Sequence, residues 1–373
     1  MRILVAMDSF KGSASSLAVG QACAAGIRNA DPTSEIWVKG LADGGEGTLD
    51  VLIDSLHGRK VEVAVHDAYG KKIQCSYGVI EQTNTAVIEI AQIVGLPMDQ
   101  YHEPLRAGTY GVGEMILHCL KKGYRHLIVG LGGSSTNDGG MGMLQALGVA
   151  FYDINGHLLD GMAANLSKVE RVSFAHLHPL LKKANVTLAC DVKNPLCGKQ
   201  GATYIFGPQK GVSADQLENV DQAMNHYGHK VNARMMEVAG AGAAGGLGFA
   251  LMSVMSVEMK PGIDLIMEAG EFEKLISQVD LVISGEGRID AQTAMGKGPG
   301  GLAKLAKQYH KPMILLGGSI ADQADVCHDL GITAYFSIQS GPVSLSDAMD
   351  LSYTLTRIEK TVEQLMRFYL FHV

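Results

Sequence analysis

The chain has 373 residues, of which 47% are hydrophobic and 18% charged. That is the balance of a folded globular protein, and the length suits two domains. The net charge of −7, with no long basic run, argues against a nucleic-acid-binding surface.

In chain order, Arg2-Ile3-Leu4-Val5-Ala6 reads as a short buried strand. It meets Asp8 at once, so it reads as a strand and not a signal peptide. The loop Asp8-Ser9-Phe10-Lys11-Gly12-Ser13 follows. A helix capped by Ser13 is predicted through Leu17, Ala24 and Ile27, with Pro32 marking its exit. A second strand, Ile36-Trp37-Val38, runs into Ala42-Asp43-Gly44-Gly45-Glu46-Gly47-Thr48. This alternation of strand and helix predicts a parallel sheet with helical crossovers.

From about His66 the texture changes. Cys75–Ile80 and Ala86–Ile90 read as strands of a different sheet, and helices are predicted near Gly113–Leu120 and Met141–Leu147. Between these helices the apolar run Leu127-Ile128-Val129 feeds Leu131–Gly142, a loop with five glycines, three hydroxyls, an amide and a carboxylate. Val186–Asp191 is another strand, followed by a turn at Asn194-Pro195. Residues 238–257 carry no charge, a run long enough to raise the question of a membrane span. The Gly/Ala-rich stretch 239–246 within them reads as a loop before a buried helix, Leu247–Val254, and not as a membrane span.

From about Pro261 the first rhythm returns, with strands Leu281–Ile283, Met313–Leu316 and Ala334–Ile338 and a helix Leu302–Tyr309. Leu351, Leu355, Ile358, Val362 and Leu365 form one apolar stripe on a last helix, which suits core packing better than a dimer seam. The prediction is two α/β domains. A Rossmann-like parallel-sheet domain is built from residues 1–65 and 262–373, and a mixed α/β domain, 66–261, is inserted in it. A ligand cleft is expected between them.

Four loops share one character: strand, then glycines with charge, then helix. They are those at Asp8–Ser13, Asp43–Thr48, Gly132–Gly142 and Ser284–Asp290. Glycine backbones turn N–H groups toward an anion, and ligands of open α/β sheets sit beyond the strands' carboxyl ends. Phosphoryl transfer needs cations on phosphate, a metal held by carboxylates and a group that orients the attacking hydroxyl. Lys11, Lys297 and Arg288 are candidates for phosphate, and Asp43, Glu46, Asp138, Asp191 and Asp290 for metal or proton. There is no Gly-x-x-x-x-Gly-Lys-Ser/Thr loop, no protein-kinase motif set, no nucleophile elbow and no His-Glu-x-x-His pair. The six cysteines contain no Cys-x-x-Cys pair and read as reduced thiols of a cytoplasmic protein.

These loops resemble those of the bacterial type I glycerate kinases. So do Ala189–Val192 with Asn194-Pro195-Leu196, Phe206–Gly211, Ala243–Gly248, and Gly285–Asp290 with Gln292-Thr293. The similarity runs in order from Met1 to about Ile338. Ser135 stands where the family often has Ala, and the chain after Ile338 shows no motif. The resemblance implies ATP-dependent phosphorylation of D-glycerate, at the 2-hydroxyl, with Mg²⁺ as the expected metal; a monomer or homodimer with no nucleic-acid or membrane partner is expected. Formation of 3-phosphoglycerate, another short hydroxy acid as substrate, and a non-catalytic hydroxy-acid sensor remain alternatives. On this reading Asp8, Ser9, Asp43, Glu46 and Asn194 contact substrate. Gly132, Gly133, Ser134, Thr136, Asn137 and Lys297 hold the nucleotide, and Asp138 and Asp290 hold metal. Lys11 and Arg288 neutralise anionic charge, and Asp191 accepts the hydroxyl proton.

Overall fold

A computed structural model describes residues 1–291, 293 and 298–371. Its strands are β1 (Arg2–Met7), β2 (Glu35–Gly40), β3 (Arg59–His66), β4 (Lys72–Ile80), β5 (Thr85–Glu89), β6 (His126–Gly130) and β7 (Ala150–Tyr152). They continue as β8 (Arg171–Ser173), β9 (Asn185–Ala189), β10 (Ser256–Lys260), β11 (Leu281–Ile289), β12 (Met313–Ile320) and β13 (Ala334–Ser337). The chain divides into two compact units.

The first unit comprises Met1–Asp43, Asp50–Leu56 and Ile263–Val373. Its five-stranded sheet runs β13-β12-β11-β1-β2, all parallel. The chain leaves β1 toward β2 on one side and later lays β11 on the other. Strand order therefore reverses between β1 and β11, which opens a crevice at their carboxyl ends. Ile3, Val5, Met7, Ile283 and Leu316 form the sheet's share of one apolar core. Helix Ser16–Ala30 adds Val19, Cys23 and Ile27 to it, and helix Leu351–Leu370 adds Ile358, Val362 and Met366. The last helix thus packs on the core, as its stripe predicts. The two helices cross closely at Gly26, where a Cβ would lie 2.3 Å from the carbonyl oxygen of Glu359. The first helix is capped by Ser15, whose Oγ accepts the Ala18 N–H at 3.3 Å. The predicted cap, Ser13, instead shares a 2.7 Å hydrogen bond with Thr354; two nearby serines give the same local signal, and tertiary contact separates them.

The second unit comprises Gly44–Leu49 and His57–Gly262. Its six-stranded sheet runs β10-β9-β6-β5-β4-β3, parallel from β10 to β5 and antiparallel across β5, β4 and β3; β7 and β8 form a small ribbon. The strand Arg59–His66, which the sequence reading leaves before its boundary at residue 66, pairs along its length with β4. It therefore belongs to the mixed sheet. Its half-exposed pattern carries no local sign of which sheet it joins. Within Ala243–Val254, Ala244, Gly245 and Gly246 have positive φ, so regular helix begins only after the glycines. No helix among the described residues is long and apolar enough to cross a membrane.

Candidate active site

The crevice at the strand reversal of the first unit holds a cavity of about 790 Å³. The end of β1 supplies Asp8 and Ser9, and the loop after β2 supplies Asp43. The Asp8 N–H donates to the Gly285 carbonyl at 2.9 Å, which pins this loop to β11. Near the end of β11, Glu286 and Arg288 are two residues apart and line the cavity together with Asp290, as strand periodicity places them. Lys11, Thr293 and Gly298 complete this part of the lining. A Cβ at Gly298 would meet Asp8 Oδ2 at 2.8 Å, and its φ of +47° also favours glycine.

Two of these carboxyl groups titrate unusually high. Asp8 is pushed up to about 6, first by burial and then by the charge of Asp43, against the Ser9 N–H that donates to it at 2.6 Å. Glu286 is pushed up to about 7, chiefly by burial, with Asp8 and Asp290 adding to the rise. The Thr293 hydroxyl donates to Glu286 Oε1 at 2.6 Å and opposes it. Arg288 is largely exposed and pairs with Asp290 at 3.4 Å. The cavity thus combines exposed cations with carboxyl groups that hold or release a proton near neutrality, the arrangement proton transfer needs.

The loop after β6 lies in the second unit. Gly132 donates its N–H to the Gly44 carbonyl at 3.0 Å, and the Gly133 carbonyl accepts from Leu96 at 2.7 Å. Ser134 Oγ is held by Lys210 Nζ at 2.9 Å, and the same ammonium reaches the Thr136 carbonyl at 2.7 Å. Asn137 Nδ2 donates to Thr203 at 3.0 Å. The side chains of Ser134 and Asn137, expected to meet phosphate, are therefore spent inside this unit. Thr136 Oγ1 and Asn137 Oδ1 are buried with no hydrogen-bond partner.

Asp138, expected to hold a metal, is fully buried. Its Oδ2 accepts from the Thr109 N–H, the Thr109 hydroxyl and the Gly142 N–H at 2.8–3.1 Å, and its Oδ1 accepts from the Gly140 N–H at 3.0 Å. Both oxygens are taken by donors of the protein, so Asp138 shapes the loop instead of a metal site. Burial raises its pKa despite these donors. Burial likewise pushes Lys210 down to about 7, against the pull of Asp138.

Asp191, Asn194 and Glu46 belong to the second unit. Asp191 Oδ1 accepts the Gly262 N–H at 3.1 Å in the second unit. The cavity that gathers Asp8, Asp43, Glu286 and Asp290 is formed by residues of the first unit. Asn194 Nδ2 donates to the Gln200 carbonyl at 2.7 Å, and Glu46 is exposed. Lys297 lies outside the described residues. Among the described residues no group of three or more His, Cys, Asp or Glu side chains is placed to hold a metal ion by itself. The six cysteines are free thiols.

The sequence reading missed Glu286, Thr293 and Lys210 as individual site residues, and also the segment after Ile338. Glu286 was within reach: a strand continued through Arg288 sets Glu286, Arg288 and Asp290 on one face. Lys210 carries no such signal, because its partners lie more than seventy residues away in the chain.

The sequence model of the glycerate kinase family matches residues 3–370. The chain is 42% identical to a glycerate kinase of Bacillus subtilis (strain 168), over 94% of this chain and 93% of that one. It is 40% identical to the glycerate 2-kinase of Escherichia coli (strain K12), over 95% and 94%. A crystal structure from Salmonella typhimurium LT2, of a protein proposed to be glycerate kinase 2, superposes with a TM-score of 0.86 at 36% identity, covering 100% and 99% of the two chains.

Proposed function

The chain belongs to the glycerate kinase family, and we propose that it transfers the γ-phosphoryl group of ATP to the 2-hydroxyl of D-glycerate. The choice of the 2-position is supported by the Escherichia coli relative, a glycerate 2-kinase at 40% identity. The observation that carries the mechanism is Glu286: a half-buried carboxyl in a cavity, pushed up to about 7, beside two cations. A base poised near neutral pH is the group that phosphoryl transfer from a hydroxyl requires.

In this mechanism Glu286, in place of Asp191, accepts the proton of the attacking hydroxyl. Thr293 holds its Oε1 at 2.6 Å and so aims the other oxygen. Lys11 and Arg288 bind anionic oxygens, Arg288 with the two-pronged geometry that suits carboxylate or phosphate. The oxygen donors of this lining fit Mg²⁺, which is usually held by one or two carboxylates together with phosphate oxygens and not by a complete protein cage. Asp43 and Asp290 would hold it. Bound there, it would neutralise the charge that develops on the transferred group.

The direct test is incubation of the protein with ATP, Mg²⁺ and D-glycerate, followed by phosphorus NMR. A 2-phosphoglycerate signal is expected. A 3-phosphoglycerate signal would overturn the position of attack, and no phosphorylated product while glycerate still binds would replace the enzyme by a sensor.

A further inference from the structure

The cavity of the first unit is much larger than a three-carbon acid fills; about 300–1,000 Å³ is the range of sites that enclose whole cofactors and drug-sized ligands. Its lining also has two chemistries. The strand ends and the loops after them contribute Asp8, Lys11, Asp43, Glu286, Arg288 and Asp290, while the segment after β13 contributes Pro342, Val343, Leu345 and Met349. Val343, Leu345 and Met349 are 40%, 76% and 39% exposed. Large apolar side chains are therefore left in solvent along one stretch of a charged cavity, where the folded chain itself does not cover them.

This segment is anchored at both ends. Gln339 Nε2 donates to the Gly318 carbonyl at 3.3 Å, and its Oε1 accepts the Tyr353 hydroxyl at 2.9 Å. Arg357 Nε donates to the Ile338 carbonyl at 3.2 Å. Ser344 accepts the Asp347 N–H at 3.1 Å and caps the turn Leu345–Ala348. The apolar groups are thus presented on an ordered scaffold.

Glycerate is polar on every face and gains nothing from such a surface. A nucleotide carries one flat, largely apolar ring system at the far end of a polyanion, and that pattern matches the lining group by group. The strand reversal between β1 and β11 is also where doubly wound sheets take such ligands.

We propose that Pro342, Val343, Leu345 and Met349 form the wall on which the base of the phosphoryl donor lies, with its phosphates toward Lys11 and Arg288. The assignment rests on the nucleotide-dependent kinase reading above. It moves the nucleotide from the Gly132–Asn137 loop to the first unit. It also makes the segment after Ile338, which shows no motif, a determinant of nucleotide affinity.

The test is calorimetric titration of ADP and, separately, of tripolyphosphate into the protein and its Leu345→Ser, Met349→Ala double variant. Loss of two apolar contacts of this size weakens binding by about tenfold each, so the ADP Kd should rise by about a hundredfold. The tripolyphosphate Kd and the KM for D-glycerate should stay within about twofold, a small fraction of the tenfold that one apolar contact supplies. Leu158→Ser, an exposed leucine of the second unit, should leave ADP binding unchanged and controls for general effects of removing a surface apolar group. An ADP Kd unaltered in the double variant overturns the wall. So does a parallel loss of tripolyphosphate binding, a rise confined to the KM for glycerate, or failure of the parent to bind ADP. Binding is read without turnover, so a parent that binds ADP and leaves glycerate unphosphorylated refutes the acceptor assignment and not the wall.

Discussion

Replacing Glu286 by Gln should cut turnover by orders of magnitude and make the protein more stable at alkaline pH. The carboxyl rises from 4.5 to about 7 mainly through burial, with Asp8 and Asp290 reinforcing it. At 1.36 kcal/mol per pH unit, its ionisation in the folded state costs about 3 kcal/mol at most, and contact with solvent in the open cavity reduces this to about 1–2 kcal/mol. Because the folded pKa lies above the unfolded one, the native state binds more protons between about pH 4.5 and 7. Glu286 therefore subtracts stability as the pH climbs through that window.

Gln keeps the shape, and its carbonyl oxygen can still accept from Thr293, but it has no charge to bury and no lone pair basic enough to take a proton. Thermal melts should show E286Q equal to the parent at pH 5 and more stable by several degrees at pH 8, taking about 2–4 °C per kcal/mol for a domain of this size. Coupled-enzyme kinetics should show kcat reduced by about 10²–10⁴, the usual contribution of a positioned base. In the parent, kcat/KM should fall on the acid side with a midpoint near 7. Turnover within tenfold of the parent would refute the base assignment. Melting curves that move in parallel across the whole pH range would refute the buried ionisation beneath it.

Other perturbations separate the loop of the second unit from the cavity of the first. Lys210 is held down to about 7 by burial, so the unfolded chain binds a proton that the native state lacks between about pH 7 and 10. Unfolding free energy, measured by urea titration, should rise with pH across that window, and Lys210→Met should remove the slope. Asp138→Asn replaces an acceptor oxygen with an amide that faces N–H donors; urea unfolding should show a loss of about 2–4 kcal/mol, of the order seen when buried polar groups lose their partners. Gly26→Ala drives a methyl against the Glu359 carbonyl at the crossing of the first and last helices. It should cost about 1–3 kcal/mol by the same measurement, with the KM for glycerate unchanged.

Much of this protein is legible in the chain. The apolar runs at Arg2–Ala6, Leu281–Ile283 and Met313–Leu316 are strands, because hydrophobic period is a local property; the expected loop Ser284–Asp290 is instead largely strand, since β11 continues to Ile289 in register with β12, a pairing no local signal shows. The matching motifs carry the family. Local signals reach no further than that. They do not distinguish Ser13 from Ser15 as a cap, or say which sheet Arg59–His66 joins.

Nor do they separate a carboxylate that does chemistry from one that holds a loop. Asp138 and Glu286 both stand among glycines in the sequence. Asp138 is enclosed by the N–H groups of Thr109, Gly140 and Gly142, and Glu286 faces a cavity beside Asp8 and Asp290. Burial and neighbouring charge set the proton affinity of each, and both depend on residues far away in the chain. The sequence by itself determined the residue types and the order of the elements. The tertiary structure decided which charges meet, because it alone set β1 between β2 and β11.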